Sequence, residues 1–305
     1  MPARTAEVPV GAGEEMGKQC AFPWYGGKQF HLGFLLPLIP RDAIHYVEPF
    51  GGAASVLLNL PRYQLETFND LLGGVVTFFR VLRDNPDELI AKLELTPWSR
   101  EEFELADLQE EGLLDVELAR RFLVRARQAY NGSLAQRGRR AWKYDARGKV
   151  SGVAKRWVDI PRRLARISER LQGVQIENRP ALDVIRRHDA RHTVFYVDPP
   201  YVHSARVGGG NRYQHEMNDD DHRDLADLLR SLRGRVVLSG YRNDLYDQWY
   251  ADWRRIEAPA KKVPSRNRFK ENKANTEIVW CNFDPYHTPA TPSLFEDTSQ
   301  RTSPV

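Results

Sequence analysis

Cysteine is almost missing: the 305 residues contain two, Cys20 and Cys281. Two are too few for a disulfide framework and too distant in sequence for a metal knuckle, so a reducing, intracellular and cytoplasmic setting is expected. Long apolar runs are missing too. No uninterrupted stretch of about 18 residues could span a bilayer, which excludes a helical membrane protein and points to a soluble chain. His203, His215 and His222 cluster in sequence, but their spacing matches no common ligand pattern, so no metal is expected. A full Gly-x-Gly-x-x-Gly is absent, which gives a pyrophosphate-binding loop little support. Internal repeats are absent as well. The first residues, rich in Ala, Gly, Pro and Glu, lack the basic and apolar regions of a signal peptide, and 1–20 reads as a disordered tail.

What the chain does have is an ordinary globular composition, 41% hydrophobic and 28% charged, enough for a sizeable core. Its net charge of +4 is modest but unevenly spread. From Arg120 to Arg170 there are 16 Lys or Arg against three acids, so this segment carries +13 and the remainder −9. Tyr130, Trp142, Tyr144 and Trp157 are interleaved with these cations. Basic side chains among aromatics suit a polyanion with stackable bases, which makes nucleic acid the expected partner. A second stretch, Arg254 to Lys273, has eight basic residues against two acids and reads equally well as a solvated face.

Periodicity organises the rest. Helical patterns cover 31–39 and 53–60, the second following a short strand at 44–47, and a strand at 65–68 leads into a helix at 71–83. This is strand, glycine loop, helix, strand and acid, the opening of a nucleotide-binding α/β domain. Charged helices around a turn-rich basic stretch fill 85–173 and read as an inserted lobe. The α/β alternation resumes with strands at 174–177, 193–197, 235–238 and 276–283, and helices at 180–187, 220–232 and 245–249. A catalytic domain of 21–84 plus 174–285 is thus predicted, followed by a loose tail over 286–305.

Four short motifs carry the chemistry. Glu48-Pro49-Phe50-Gly51-Gly52 follows a strand and opens a helix, so its glycines let backbone come close to a cofactor. Asp70, 18 residues past Gly52, ends the next strand, where a carboxylate grips ribose or adenosine hydroxyls. An adenosine cofactor without a diphosphate, S-adenosylmethionine, fits both facts. Trp24-Tyr25-Gly26-Gly27-Lys28 offers aromatic faces for an adenine or a sulfonium, and Lys28 could meet a carboxylate. Asp198-Pro199-Pro200-Tyr201 ends the buried run Thr193 to Val197, placing a carboxylate, two rigid prolines and a ring at a strand's carboxyl end. Asp198 and the Pro199 carbonyl could hold a planar amine while Tyr201 stacks on its base. Gly208 to Asn211 reads as a loop that orders over DNA, and Ser239-Gly240-Tyr241 as either pocket wall or an ordinary turn.

Taken along the chain, Trp24 to Lys28, then Glu48 to Gly52, then Asn69-Asp70, then Asp198 to Tyr201, the four motifs resemble the Dam-type DNA adenine methyltransferases over roughly 22–285. Tyr25 stands where that family more usually has Ala, and Asn131-Gly132-Ser133 departs from its more usual Asn-Gly-Leu. The resemblance implies a Rossmann-like methyltransferase sheet, mostly parallel with the last strand antiparallel, and a mainly helical target-recognition lobe. It implies cofactor contacts at Trp24, Lys28, Glu48, Phe50, Gly51, Gly52, Asp70 and Asp198, and catalysis by Asp198, Pro199, Pro200 and Tyr201. Contacts to double-stranded DNA are expected from Asn131, Arg137, Arg139, Arg140 and Lys143, in a monomer without a metal. The expected reaction is transfer of a methyl group to the N6 amine of a flipped adenine. A cytosine N4 or RNA methyltransferase and a non-catalytic DNA-binding relative are the alternatives; Asp rather than Ser at 198 speaks against cytosine, and retention of Asp198 and Lys28 against an inactive relative.

Overall fold

The computed structural model describes residues 18–107, 110–130, 141–144, 152–201, 216–259 and 276–286. Its centre is a sheet of seven strands: β1 His45–Glu48, β2 Leu65–Asn69, β3 Gln175–Glu177, β4 Thr193–Val197, β5 Arg235–Tyr241, β6 Arg254–Glu257 and β7 Glu277–Cys281. The order across the sheet is β3-β2-β1-β4-β5-β7-β6. β7 alone runs against its neighbours β5 and β6, so the last strand is antiparallel, as the sequence predicts. Residues of β1, β4 and β7 are buried at every position. The largely apolar runs of β4 and β7 follow from a sheet covered on both faces, while β1 buries His45 and Glu48 as well.

The pleat sends alternate residues to two cores. Tyr46, Phe68, Val194, Tyr196, Val237 and Val279 join one, while Val47, Phe195, Val197, Val236, Leu238 and Ile278 join the other. Ten α-helices are present among the described residues: α1 Leu32–Leu35, α2 Gly73–Asp84, α3 Pro86–Glu94, α4 Arg100–Asp107, α5 Asp115–Gln128, α6 Val153–Val158, α7 Ile160–Leu171, α8 Ala181–His188, α9 Asp219–Ser231 and α10 Asp244–Trp249. α9 starts on a capping box in which Asn218 and Asp221 exchange hydrogen bonds, satisfying two otherwise open backbone donors.

Helices α3, α5 and α7, which lie within the segment 85–173, contribute Leu89, Leu93, Phe122, Leu123, Leu164 and Ile167 to the first core. Phe122 of α5 meets Phe22 edge-on at 5.1 Å and Phe78 of α2 at 5.7 Å. Arg170 of α7 grips buried Glu66 of β2 through two hydrogen bonds of 2.7 Å and also donates to the Leu57 and Leu60 carbonyls. These helices are therefore built onto the sheet's own core. At the start of the described chain, Gln19 exchanges hydrogen bonds with Asn59, and Arg127 donates to the Cys20 and Ala21 carbonyls, so order begins before residue 20.

Two local readings of the sequence differ from the fold. The predicted helix over 53–60 is a series of turns and a short 3-10 segment, Leu57–Asn59. Gly52 and Ala54 adopt left-handed φ of 50° and 53°, which no α-helix accommodates, and the Glu48 carboxylate accepts from the Leu57 amide at 3.0 Å. β6 is the second difference. Its Arg-Arg-Ile-Glu carries no apolar alternation, and it forms as an edge strand on β7, with Arg255 paired to Asp247 and Glu257.

Candidate active site

Order reverses between β1 and β4, each next to the other but feeding connections to opposite sides, and ligands in such sheets sit outside the carboxyl ends at that point. A cavity of about 310 Å³ opens there, bounded by Trp24, the 48–53 loop, Asp70 to Leu72, Pro180 to Leu182, Asp198, Pro200 and the segment Glu216–Met217. All eight predicted cofactor residues line it: Trp24, Lys28, Glu48, Phe50, Gly51, Gly52, Asp70 and Asp198. Asn69 laces the rim. Its side chain donates to the Pro49 and Arg179 carbonyls and accepts from the Arg179 amide, joining the loops after β1, β2 and β3.

The two loop glycines are required by the protein's own side chains. A Cβ on Gly51 would lie 2.0 Å from the buried Phe68 ring, and one on Gly52 would lie 2.5 Å from Trp24 Nε1. Asp70 is likewise engaged: its two carboxylate oxygens accept from the Gly52 and Leu72 amides, both at 2.8 Å. It thereby pins the glycine loop to the end of β2.

At the end of β4, Asp198 Oδ1 receives the Lys28 ammonium at 2.7 Å and the Ser239 hydroxyl at 3.1 Å. Ser239 is in turn bonded to the Tyr196 hydroxyl at 3.0 Å. Strand β4, the 3-10 turn at Lys28–Phe30 and strand β5 thus converge on one carboxylate. Residues 24–263 match the family described as D12 class N6 adenine-specific DNA methyltransferases.

The chain belongs to that family. Its activity is the methylation of adenine N6 in DNA. The chain is also similar to a protein named Type II methyltransferase M1.LlaDCHI from Lactococcus lactis subsp. cremoris, with 25% identity over 276 residues, 85% of this chain and 94% of that protein.

The electrostatics of this methyltransferase are dominated by a buried cluster. Lys28, only 3% exposed, also lies 3.4 Å from Glu277 Oε1. Burial works against its charge, but Asp198 and Glu277 outweigh that and hold its pKa well above the usual lysine value. Burial raises Asp198 against the opposing pull of Lys28 and Ser239. Burial likewise pushes Glu277 up to about 7, with Lys28 opposing it. Glu48, enclosed between the Tyr46 hydroxyl and the Leu57 amide, is pushed up to about 8 by its burial.

Tyr201 is 6% exposed, its ring 4.3 Å from that of Tyr241 and 4.8 Å from the Lys28 ammonium. Its ring therefore rests on a protein neighbour, where the sequence reading puts a substrate base. Pro200 borders the cavity, and Pro199 lies between it and Asp198. Of the predicted DNA contacts, Lys143 is partly buried beside Trp142, with its amide bonded to the Gln128 carbonyl at 2.8 Å. Asn131, Arg137, Arg139 and Arg140 lie outside the described residues, as do His203, His215 and 208–211. His222 is buried beneath α9 and bonded to the Tyr246 hydroxyl at 2.9 Å, which gives it a structural task.

Sequence reading missed Glu277 and the Glu216, Met217 and Asp221 wall. For Glu277 a signal exists: it is an acid heading a strand that is otherwise Ile, Val, Trp and Cys, and such an acid must be paired once buried. Glu216 and Met217 precede the N-cap Asn218 and Asp221 lies in the first turn of α9, and nothing in the local pattern turns them toward the cavity.

Proposed function

We propose that the cavity binds S-adenosylmethionine and that Asp198 receives the adenine amine beside it. Charge supports this reading. Among the described residues, the cavity is lined by five carboxyl groups, Glu48, Asp70, Asp198, Glu216 and Asp221, and by one basic residue, Lys28, already matched by two carboxylates. A diphosphate would be repelled there, whereas a sulfonium is attracted, and Trp24 adds an aromatic face. Leu71, Leu72, Pro180 and Leu182 offer apolar walls for an adenine. When bound, the cofactor supplies an electrophilic methyl group on a sulfonium.

The observation that carries the reading is the orientation of Asp198. Among the described residues, its side-chain contacts to Lys28 and Ser239 both fall on Oδ1, which leaves Oδ2 for the amine hydrogen. An exocyclic amine is a poor nucleophile because its lone pair is delocalised into the ring. Hydrogen bonds to Asp198 and to the Pro199 carbonyl favour a tetrahedral nitrogen with that lone pair exposed, and transfer then depends mainly on placement. The adenine has to leave the duplex, at a cost of a few kcal/mol; stacking by Tyr201 offsets part of it once the ring turns from Tyr241. The lobe 85–173, through Asn131, Arg137, Arg139, Arg140 and Lys143, would hold the duplex by its phosphates. A monomer acting on DNA in the cytoplasm, in a restriction-modification setting like that implied by the name of its Type II relative, completes the proposal.

Asp198→Ala tests it. Methyl incorporation into duplex DNA should be abolished while duplex binding survives in a gel-shift assay, and full retained activity would sink the proposal.

A further inference from the structure

Methylation of a neutral amine leaves the nitrogen with one proton too many, and Asp198 stands part-buried at the cavity wall, where a bound cofactor and base would cover it, with Lys28 against it. The contacts beyond Asp198 form a chain with a direction. Lys28 Nζ, 2.7 Å from Asp198, donates to the Tyr201 hydroxyl, and that hydroxyl donates to Glu277 Oε2 at 3.3 Å. The same Glu277 oxygen lies 3.6 Å from His31 Nδ1, whose side chain is 23% exposed. Among the described residues, the other carboxylate oxygen, Oε1, is buried and accepts no hydrogen bond.

We propose that Glu277 is the acceptor at the end of a proton wire, taking the proton that Asp198 collects from the methylated amine and passing it by way of His31 to solvent. The inference rests on the reading of Asp198 as the group that receives the amine. The steps balance. The N6–C bond forms as the donor's S–C bond breaks with its electron pair, and N6 gives a proton to Asp198. Lys28 takes that proton while giving one of its own to the Tyr201 oxygen, and Tyr201 gives its hydroxyl proton to Glu277. Asp198, Lys28 and Tyr201 end as they began, and Glu277 alone is changed.

Geometry also sets the downhill direction. Asp198 keeps two donors, at 2.7 and 3.1 Å, that favour its ionised form, whereas among the described residues the contacts of Glu277 to Lys28, Tyr201 and His31 are all longer, at 3.4, 3.3 and 3.6 Å. The charged and titratable groups facing Glu277 are Lys28 and His31 from the first turns, Tyr196, Asp198 and Tyr201 from β4 and the loop after it, and Tyr241 opposite it on β5. Burial holds the Tyr196 and Tyr241 phenols above their usual range, so both remain neutral through the working range. Glu277, pushed up to about 7, is poised to accept and release a proton there.

The test is Glu277→Gln, which keeps shape and polarity but cannot take the proton. Single-turnover methyl incorporation into duplex DNA is followed from about pH 5 to about pH 9, with Asp198→Ala as comparator, and S-adenosylmethionine binding is measured by calorimetry. Infrared difference spectra of the protein alone report the protonated-carboxyl band. The wire predicts a fall of at least about 100-fold in rate, loss of the ionisation near neutrality, unchanged cofactor affinity, and disappearance of a titrating carboxyl band. Wild-type rate and pH profile in Glu277→Gln, with Asp198→Ala inactive, overturn the wire and leave the site reading standing. A slower enzyme with an unchanged profile, or one that loses cofactor affinity, reduces Glu277 to a structural support and also overturns it. An active Asp198→Ala removes the reading on which the inference rests.

Discussion

Replacing Lys28 with methionine keeps the length and most of the volume of the side chain and removes the one cation between Asp198 and Glu277. In the native protein, Glu277 is shifted from an ordinary 4.5 to about 7, so between those values the folded chain binds more protons than the unfolded one. Stability contributed there is present at low pH and is lost as pH rises through about 7, amounting to about 3 kcal/mol at most. Without Lys28, both carboxyls lose their attraction and are driven further up, and above neutrality the buried Glu277 and the part-buried Asp198 must ionise without that cation between them. Breaking a buried pair in this way costs roughly 3–5 kcal/mol. At low pH both groups are protonated, and the variant loses much less. Lys28→Met should therefore show a deficit that widens with pH, small near pH 5 and about 3–5 kcal/mol near pH 8. Urea denaturation at a series of pH values, followed by tryptophan fluorescence and far-UV circular dichroism, measures it. A deficit of the same size at every pH would refute the electrostatic reasoning and assign Lys28 a packing role.

Gly51→Ala should destabilise the fold by about 1–3 kcal/mol or more, because its methyl group must displace the buried Phe68 ring, which packs edge-on against Phe79; thermal unfolding reads the loss. For the basic lobe, changing Arg137, Arg139 and Arg140 together to Gln should weaken duplex binding and reduce the salt slope by roughly 3, at about 0.9 per phosphate contact. An unchanged slope would turn that part of the lobe away from DNA.

Much of the sheet could be read from the chain because β4 and the middles of β5 and β7 are short runs rich in apolar, β-branched and aromatic residues, and β1 and β2 lead directly into the Glu-Pro-Phe-Gly-Gly and Asn-Asp turns. Burial on both faces leaves such runs little choice. β6 was not legible: an edge strand owes its place to β7 and to ion pairs of Arg255, neither of which leaves a period in the sequence. The helix expected over 53–60 failed because Ala54, an excellent helix former, is held at positive φ by tertiary contacts. Within the site, each motif was visible as a string, but the tasks of its members were not. Gly51 and Gly52 answer to Phe68 and Trp24, and Lys28 meets Tyr201 across 173 positions, a pairing that only the fold creates. Glu277 belonged to no motif, and its meaning lies in what surrounds it.

The common core of the sheet and helices α3, α5 and α7 has a consequence for how this enzyme can change its target. A recognition part joined by a linker can be exchanged as a cassette, leaving the catalyst intact. Here, an exchange of 85–173 would remove Phe122 from its contacts with Phe22 and Phe78, and Arg170 from Glu66. If that segment reads the target, as proposed, new specificity would have to be gained with the helices themselves kept. On the proposed reading of 85–173 as the target-recognition lobe, the shared core would make losing the reader equivalent to losing the catalyst, so a damaged lobe would leave no untargeted methylating remnant behind.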